Sequence, residues 1–121
     1  MKLAMIGLGK MGANMTRRLL KGGHKVVAFD LNHDAVSEVA QEGAVAAKSL
    51  EDVASKLSAP RVAWMMVPAG KPTAKTVESL GSVFEKGDII VDGGNSNYKE
   101  TMSHAAMLGE RGIRFVDVGT S

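Results

Sequence analysis

The sequence has no cysteine. That excludes a disulfide framework and any metal site built on thiolates, and it fits a reducing compartment, so cytoplasmic residence is the expectation. Long apolar runs are also missing. The N-terminal stretch MKLAMIGLG is broken by Gly7 and Gly9 and is too short for a signal peptide or a membrane span. No basic tract is present either. The largest basic cluster is Arg17-Arg18 with Lys21, on a net charge of +2, too little for a nucleic-acid reader. His24, His33 and His104 lack ligand spacing with one another or with carboxylates, so no metal is expected and surface positions are expected for all three. There is no internal repeat, linker or low-complexity segment.

What is present is an alternation of short apolar runs and longer helical patterns. With 121 residues the chain is long enough for one domain and too short for two. Apolar residues make up 45% and charged residues 23%, an ordinary globular composition. Strands are predicted over Lys2–Ile6, Lys25–Phe29, Ala44–Ala46, Arg61–Met66, Ile89–Val91 and Ile113–Val116. Helices are predicted over Lys10–Lys21, His33–Glu42, Leu50–Leu57, Pro72–Leu80 and Tyr98–Arg111. Gly22-Gly23, Gly43 and Gly112 stand where helices should stop. Ser49 with Asp52, and Asn97 with Glu100, have capping-box spacing, and Pro72 suits a first helical position. The first, fourth and fifth strands lack polar alternation, as expected when helices cover both faces of a sheet. The fold class is therefore α/β, a single doubly wound parallel sheet of the Rossmann type.

Gly7-Leu8-Gly9-Lys10-Met11-Gly12 is a G-x-G-x-x-G run that follows the first strand and opens the first helix, the context that gives the pattern its meaning. Gly7 permits a tight turn, Gly9 lets a diphosphate approach the backbone, and Gly12 lets helix and strand pack closely. The N–H groups at the helix start then bind phosphate. Asp30 closes the second strand, 18 residues after Gly12, where a carboxylate accepts hydrogen bonds from the adenosine ribose. The same carboxylate repels a 2′-phosphate by about 4 kcal/mol at 4 Å and an effective dielectric near 20. Leu31, Asn32 and His33 follow it with no arginine, so NAD is expected over NADP. The alternative is that Asp30 only caps the turn into the second helix.

In an open α/β sheet ligands lie beyond the carboxyl ends of the strands. Val67-Pro68-Ala69-Gly70 follows the fourth strand and can lie flat against a ring. Asp92-Gly93-Gly94-Asn95 follows the fifth; Gly93 and Gly94 would bring backbone close to the nicotinamide, with Asn95 offering a donor and an acceptor. Asn95 is equally readable as a turn residue of positive φ. Met5, Met11, Met15, Met65, Met66 and Met107 read mostly as gap-filling core residues, Met11 with a contact to the cofactor as its alternative, Trp64 as packing, and Lys71, Lys75, Lys86 and Lys99 as solvated charges.

The segments GLGKMG, DGGNSNYKET (Asp92 to Thr101) and DVGTS (Asp117 to Ser121) resemble the N-terminal domain of the 6-phosphogluconate dehydrogenases, decarboxylating members of the β-hydroxyacid dehydrogenase superfamily. The resemblance covers the whole chain. It implies that Asn95 contacts substrate and nicotinamide, that Ser121 opens a Ser-Gly-Gly substrate loop, and that Val67-Pro68-Ala69 packs on the cofactor. Asp30-Leu31-Asn32 stands where NADP-using members carry Asn-Arg-Ser/Thr, so the resemblance favours the shorter, NAD-preferring bacterial type, as does Trp64 to Pro68. It implies a complete enzyme, a homo-oligomer, in which NAD takes a hydride from C3 of 6-phosphogluconate while a lysine removes the hydroxyl proton. Loss of CO2 and protonation by a glutamate then yield ribulose 5-phosphate. In the family that lysine and glutamate lie beyond the position of Ser121, as does a large helical domain, so this chain is expected to be a fragment or an isolated cofactor domain, inactive alone. Two other readings stay open: another β-hydroxyacid dehydrogenase acting on a small 3-hydroxy acid, and a binding-only nucleotide sensor.

Overall fold

Successive residues of the first strand enter different cores, and this organises the fold. Ala4 and Ile6 are buried with Val27, Met65 and Ile90 on one side of the sheet. Met5 is buried with Val26, Ala28 and Val39 on the other. Side chains of a strand alternate in direction, so a run with no polar member forces cover onto both faces. Each Val, Leu, Ile or Met so buried contributes about 1.5–3 kcal/mol.

The computed structural model describes residues 2–67, 71–94 and 98–118. In chain order the elements are β1 (Lys2–Ile6), α1 (Lys10–Lys21), β2 (Lys25–Phe29), α2 (His33–Gln41), β3 (Val45–Ala46), α3 (Leu50–Ser55), β4 (Val62–Met65), α4 (Lys71–Val83), β5 (Ile89–Asp92), α5 (Tyr98–Glu110) and β6 (Arg114–Asp117). The strands form one sheet in the order β3-β2-β1-β4-β5-β6, and every pairing is parallel. The order reverses between β1 and β4, the switch point at which doubly wound sheets place their ligands.

Several boundaries differ from the sequence reading. β4 loses Arg61, whose backbone N–H is taken by the Asp88 carboxylate at 2.6 Å. It also loses Met66 from its far end, although the Met66 N–H still reaches Ile6 O at 2.7 Å. β3 shrinks to two exposed residues at the sheet edge. α4 begins at Lys71, so Pro72 is its second residue, and it runs through Gly81 to Val83. The glycine is tolerated there because Leu108 of α5 packs against it: a Cβ would lie 3.0 Å from Leu108 Cδ2. The Ser49–Asp52 pair half-forms its capping box. Ser49 Oγ accepts from Asp52 N at 3.0 Å, but Asp52 Oδ2 accepts from Lys48 N, one residue before the cap. Asn97 lies outside the described residues.

Two residue assignments change as well. His104 is half-buried rather than fully exposed. Its ring packs edge-on against Phe115 at 5.9 Å between centroids, and its Nδ1 is buried. Met11 is not core but 67% exposed. Among the described residues no helix is long and apolar enough to cross a membrane, and no group of three or more His, Cys, Asp or Glu is placed to hold a metal ion.

Candidate functional site

At the carboxyl end of β1 the chain makes the turn that its glycines allow. Gly7 has φ +97°, a conformation costly for any residue with a Cβ. A Cβ there would also sit 2.5 Å from Met66 O, and one on Gly12 would overlap the carbonyl oxygen of Gly7. Both glycines are therefore demanded by the fold itself.

Gly9 differs. Its φ of −63° is open to any residue, and a Cβ would meet no atom of the described residues within 4 Å. None of the described residues requires glycine at this position, and a glycine here leaves the backbone open to a group that approaches from outside. Gly9 is also the N-cap of α1 and contributes no side-chain cap, and the first turn carries no acidic residue. By contrast Asn32 caps α2, accepting from Asp34 N and Ala35 N, and Ser49 caps α3. The leading N–H groups of a helix have no partner within it, and at α1 the first intrahelical bond runs from Ala13 N to Gly9 O at 2.9 Å. Such an end attracts anions.

This turn opens on a cleft of about 1200 Å³. Gly7, Gly9, Met11 and Gly12 form one wall, Phe29, Asp30 and Leu31 of the β2 end another, and Met66, Val67, Gly93 and Gly94 the floor beneath β4 and β5. Leu31 is 88% exposed beside it. Asp30 uses both oxygens locally: Oδ2 accepts from Leu8 N at 2.6 Å and Oδ1 from Asn32 N at 2.8 Å. An ionised carboxylate has about four acceptor positions, so capacity for a sugar hydroxyl is left.

A family model described as the NAD binding domain of 6-phosphogluconate dehydrogenase matches residues 2–121. The chain belongs to that family. The chain is 40% identical over 121 residues to the NAD(+)-dependent, decarboxylating 6-phosphogluconate dehydrogenase of Haloferax volcanii, covering 100% of this chain and 40% of that protein. It is 42% identical over 124 residues to the decarboxylating 6-phosphogluconate dehydrogenase of Haemophilus influenzae, covering 98% of this chain and 26% of that one. In fold it matches the 3-hydroxyisobutyrate dehydrogenase of Mycobacterium tuberculosis with a TM-score of 0.88 at 26% identity, over 99% of this chain and 40% of that chain. The chain thus spans well under half the length of these relatives.

The residues expected in a cofactor site divide three ways. Gly7, Gly9, Met11, Gly12, Asp30, Leu31 and Val67 line the one cleft. Leu8 is buried behind it, Lys10 is exposed at the helix start, and Asn32 is occupied as the cap of α2. Pro68, Ala69, Asn95 and Ser121 lie outside the described residues. Gly93 and Gly94 border the cleft, but the close approach they permit is internal: a Cβ on Gly93 would enter Trp64 and Met66, and one on Gly94 would lie 2.7 Å from Val67 O.

The sequence reading missed a wall of the cleft formed by Lys48, Ser49 and Glu51 at the start of α3 and by Lys75, Thr76 and Ser79 of α4. Lys48 could have been found, since it follows β3 and precedes a recognisable cap and so stands at a strand's carboxyl end. The α4 residues carry no such signal, because their approach depends on how α3 and α4 pack across the sheet. The two lysines place positive charge in the cleft that also holds Asp30.

Proposed function

We propose that this domain binds NAD with its diphosphate on the Gly7–Gly12 turn and its adenosine ribose at Asp30, and serves as the cofactor half of an enzyme that oxidises and decarboxylates 6-phosphogluconate. The observation that carries the reading is Gly9: a glycine whose missing side chain would meet none of the described residues, at the uncapped start of α1, facing an open cleft. When bound, the dinucleotide supplies a hydride acceptor at its nicotinamide ring. This chain's residues do the rest of the holding. The N–H groups that open α1 take phosphate oxygens, the Asp30 carboxylate takes ribose hydroxyls, and Val67 with Pro68 and Ala69 bounds the ring. Asn95 and Ser121 are proposed to contact the substrate. Proton transfer belongs to groups on other parts of the enzyme; the domain's contribution is binding and orientation.

NAD is favoured over NADP because a carboxylate at the proposed ribose position repels a 2′-phosphate, and because the Haloferax volcanii relative is NAD(+)-dependent. The whole protein is proposed to be cytoplasmic and homo-oligomeric. A small 3-hydroxy acid is the second reading, favoured by the likeness to the Mycobacterium tuberculosis 3-hydroxyisobutyrate dehydrogenase.

Titration with NADH and NADPH tests the cofactor reading, with tighter NADH binding expected; NADPH bound equally well or better overturns the role given to Asp30. Turnover of 6-phosphogluconate against 3-hydroxyisobutyrate by the complete enzyme decides between the substrates.

A further inference from the structure

The Asp30 carboxylate is fastened to the glycine turn across 22 residues of chain, by the 2.6 Å hydrogen bond that Oδ2 accepts from the Leu8 N–H. We propose that Asp30 is a positioning residue for the diphosphate turn, in addition to its role as a sugar ligand, so that one carboxylate couples cofactor choice to the geometry of phosphate binding. The inference rests on the dinucleotide reading above.

Packing holds the body of the turn, with Leu8 buried in the core and Gly12 pressed against Gly7, and hydrogen bonds fix its N–H groups. Gly7 N is held by Phe29 O at 2.9 Å, and Gly7 then takes its left-handed conformation. Gly9 already has ordinary backbone angles at the start of α1. Leu8 is the one residue between them, so the direction of its N–H sets how the helix start is presented to the cleft. Both of these N–H groups are received by the end of β2, one by the Phe29 carbonyl and one by Asp30. The carboxylate is itself held from turning, because its second oxygen accepts from Asn32 N at 2.8 Å. Both bonds are to an ionised acceptor, the stronger and shorter kind.

Asparagine has the same shape but only one acceptor oxygen. Whichever way its amide lies, one of the two backbone N–H groups, Leu8 or Asn32, faces a donor. Removing the negative charge would by itself favour an anion, but Asp30 is only half-buried and salt screens that longer-range term. Loss of the fixed turn dominates, and substitution by Asn should weaken every diphosphate ligand, with or without ribose hydroxyls.

The probes are ADP and 2′,3′-dideoxy-ADP, which has the diphosphate but no hydroxyl for Asp30 to hold. Dissociation constants are measured by calorimetry for the wild type and Asp30→Asn, near physiological salt and well below the melting temperature. The expected result is about tenfold weaker binding of dideoxy-ADP by Asp30→Asn, the loss of one charge-assisted hydrogen bond's worth of organisation. A substitution that only lowered the melting temperature would leave this affinity unchanged. Unchanged dideoxy-ADP binding with weakened ADP binding overturns the inference and leaves Asp30 a sugar ligand alone. A wild type that binds neither ADP nor NADH overturns the dinucleotide reading and the inference with it. Should Asp30→Asn fail to fold, amide exchange in the wild type decides: the Leu8 N–H is expected to be protected without ligand, and exchange as fast as an exposed loop amide refutes the clamp.

Discussion

Gly12 lies so close to the carbonyl oxygen of Gly7 that a Cβ on Gly12 would overlap it. The two ends of the glycine run are thus locked to each other, while a side chain on Gly9 between them would disturb none of the described residues. The same residue type serves packing at two positions and a ligand at the third.

Substitutions should separate these roles. Gly12→Ala forces a methyl group into backbone that cannot turn aside, and is expected to cost about 3 kcal/mol or more in stability. Gly9→Val is expected to cost about 1 kcal/mol at most, the difference between glycine and an apolar residue at an N-cap, while abolishing dinucleotide binding. Thermal melts and NADH titrations of both variants check this. Retained NADH affinity in Gly9→Val would refute the proposed turn.

Asp88 should be the most sensitive charged position at the opposite end of the sheet. It is fully buried and accepts from Arg61 N at 2.6 Å, Glu85 N at 2.7 Å and Arg61 Nη1 at 3.3 Å. Asp88→Ala strands two backbone donors and breaks a largely buried ion pair, with an expected loss of about 3–5 kcal/mol. Urea unfolding measures it, and a loss under about 1 kcal/mol contradicts the assigned role.

Asp52 predicts a pH dependence. The Lys56 ammonium at 2.7 Å, followed by the Lys48 N–H, holds its carboxyl below the ordinary value of 3.8. The unfolded chain therefore takes up the proton first on acidification. The stability Asp52 supplies is present in full above the unfolded value and is lost as pH falls through the lower folded one. Asp52→Asn should melt slightly below the wild type at neutral pH, and the two curves should converge below about pH 4. A constant gap across that range would mean that the cap, not the charge, is responsible.

Trp64 offers a direct optical readout. It is the only tryptophan in the chain, its indole N–H meets Met66 Sδ at 3.2 Å, and Met66 lines the cleft. NADH is expected to quench its emission with a dependence that matches calorimetry, and Gly9→Val should abolish the quenching. Gly93→Ala, which pushes a methyl group against the indole, should shift the emission even without ligand.

Local chemistry explains which elements were legible. Lys10–Lys21, Lys2–Ile6 and Lys25–Phe29 have the bounds expected of them, because a glycine turn opens the helix, a glycine pair closes it and unbroken apolar runs flank it. The end of α4 was not legible, since Gly81 reads as a weak helix residue until Leu108 is seen against it. The exposure of Met11 and the half-burial of His104 were not legible for a related reason: which side of a helix finds a neighbour depends on packing between elements far apart in sequence.

The order of residues alone determined the parallel α/β architecture, the glycine turn and the acidic end of the second strand, because hydrophobic period, missing side chains and strand-end chemistry are local properties. Only the folded chain decided that Gly7 and Gly12 serve packing while Gly9 faces open space, that Asp30 grips Leu8, and that Lys48 and Lys75 share its cleft. Those relationships are distances between backbone segments brought together by the sheet, and no spacing along a single chain encodes them.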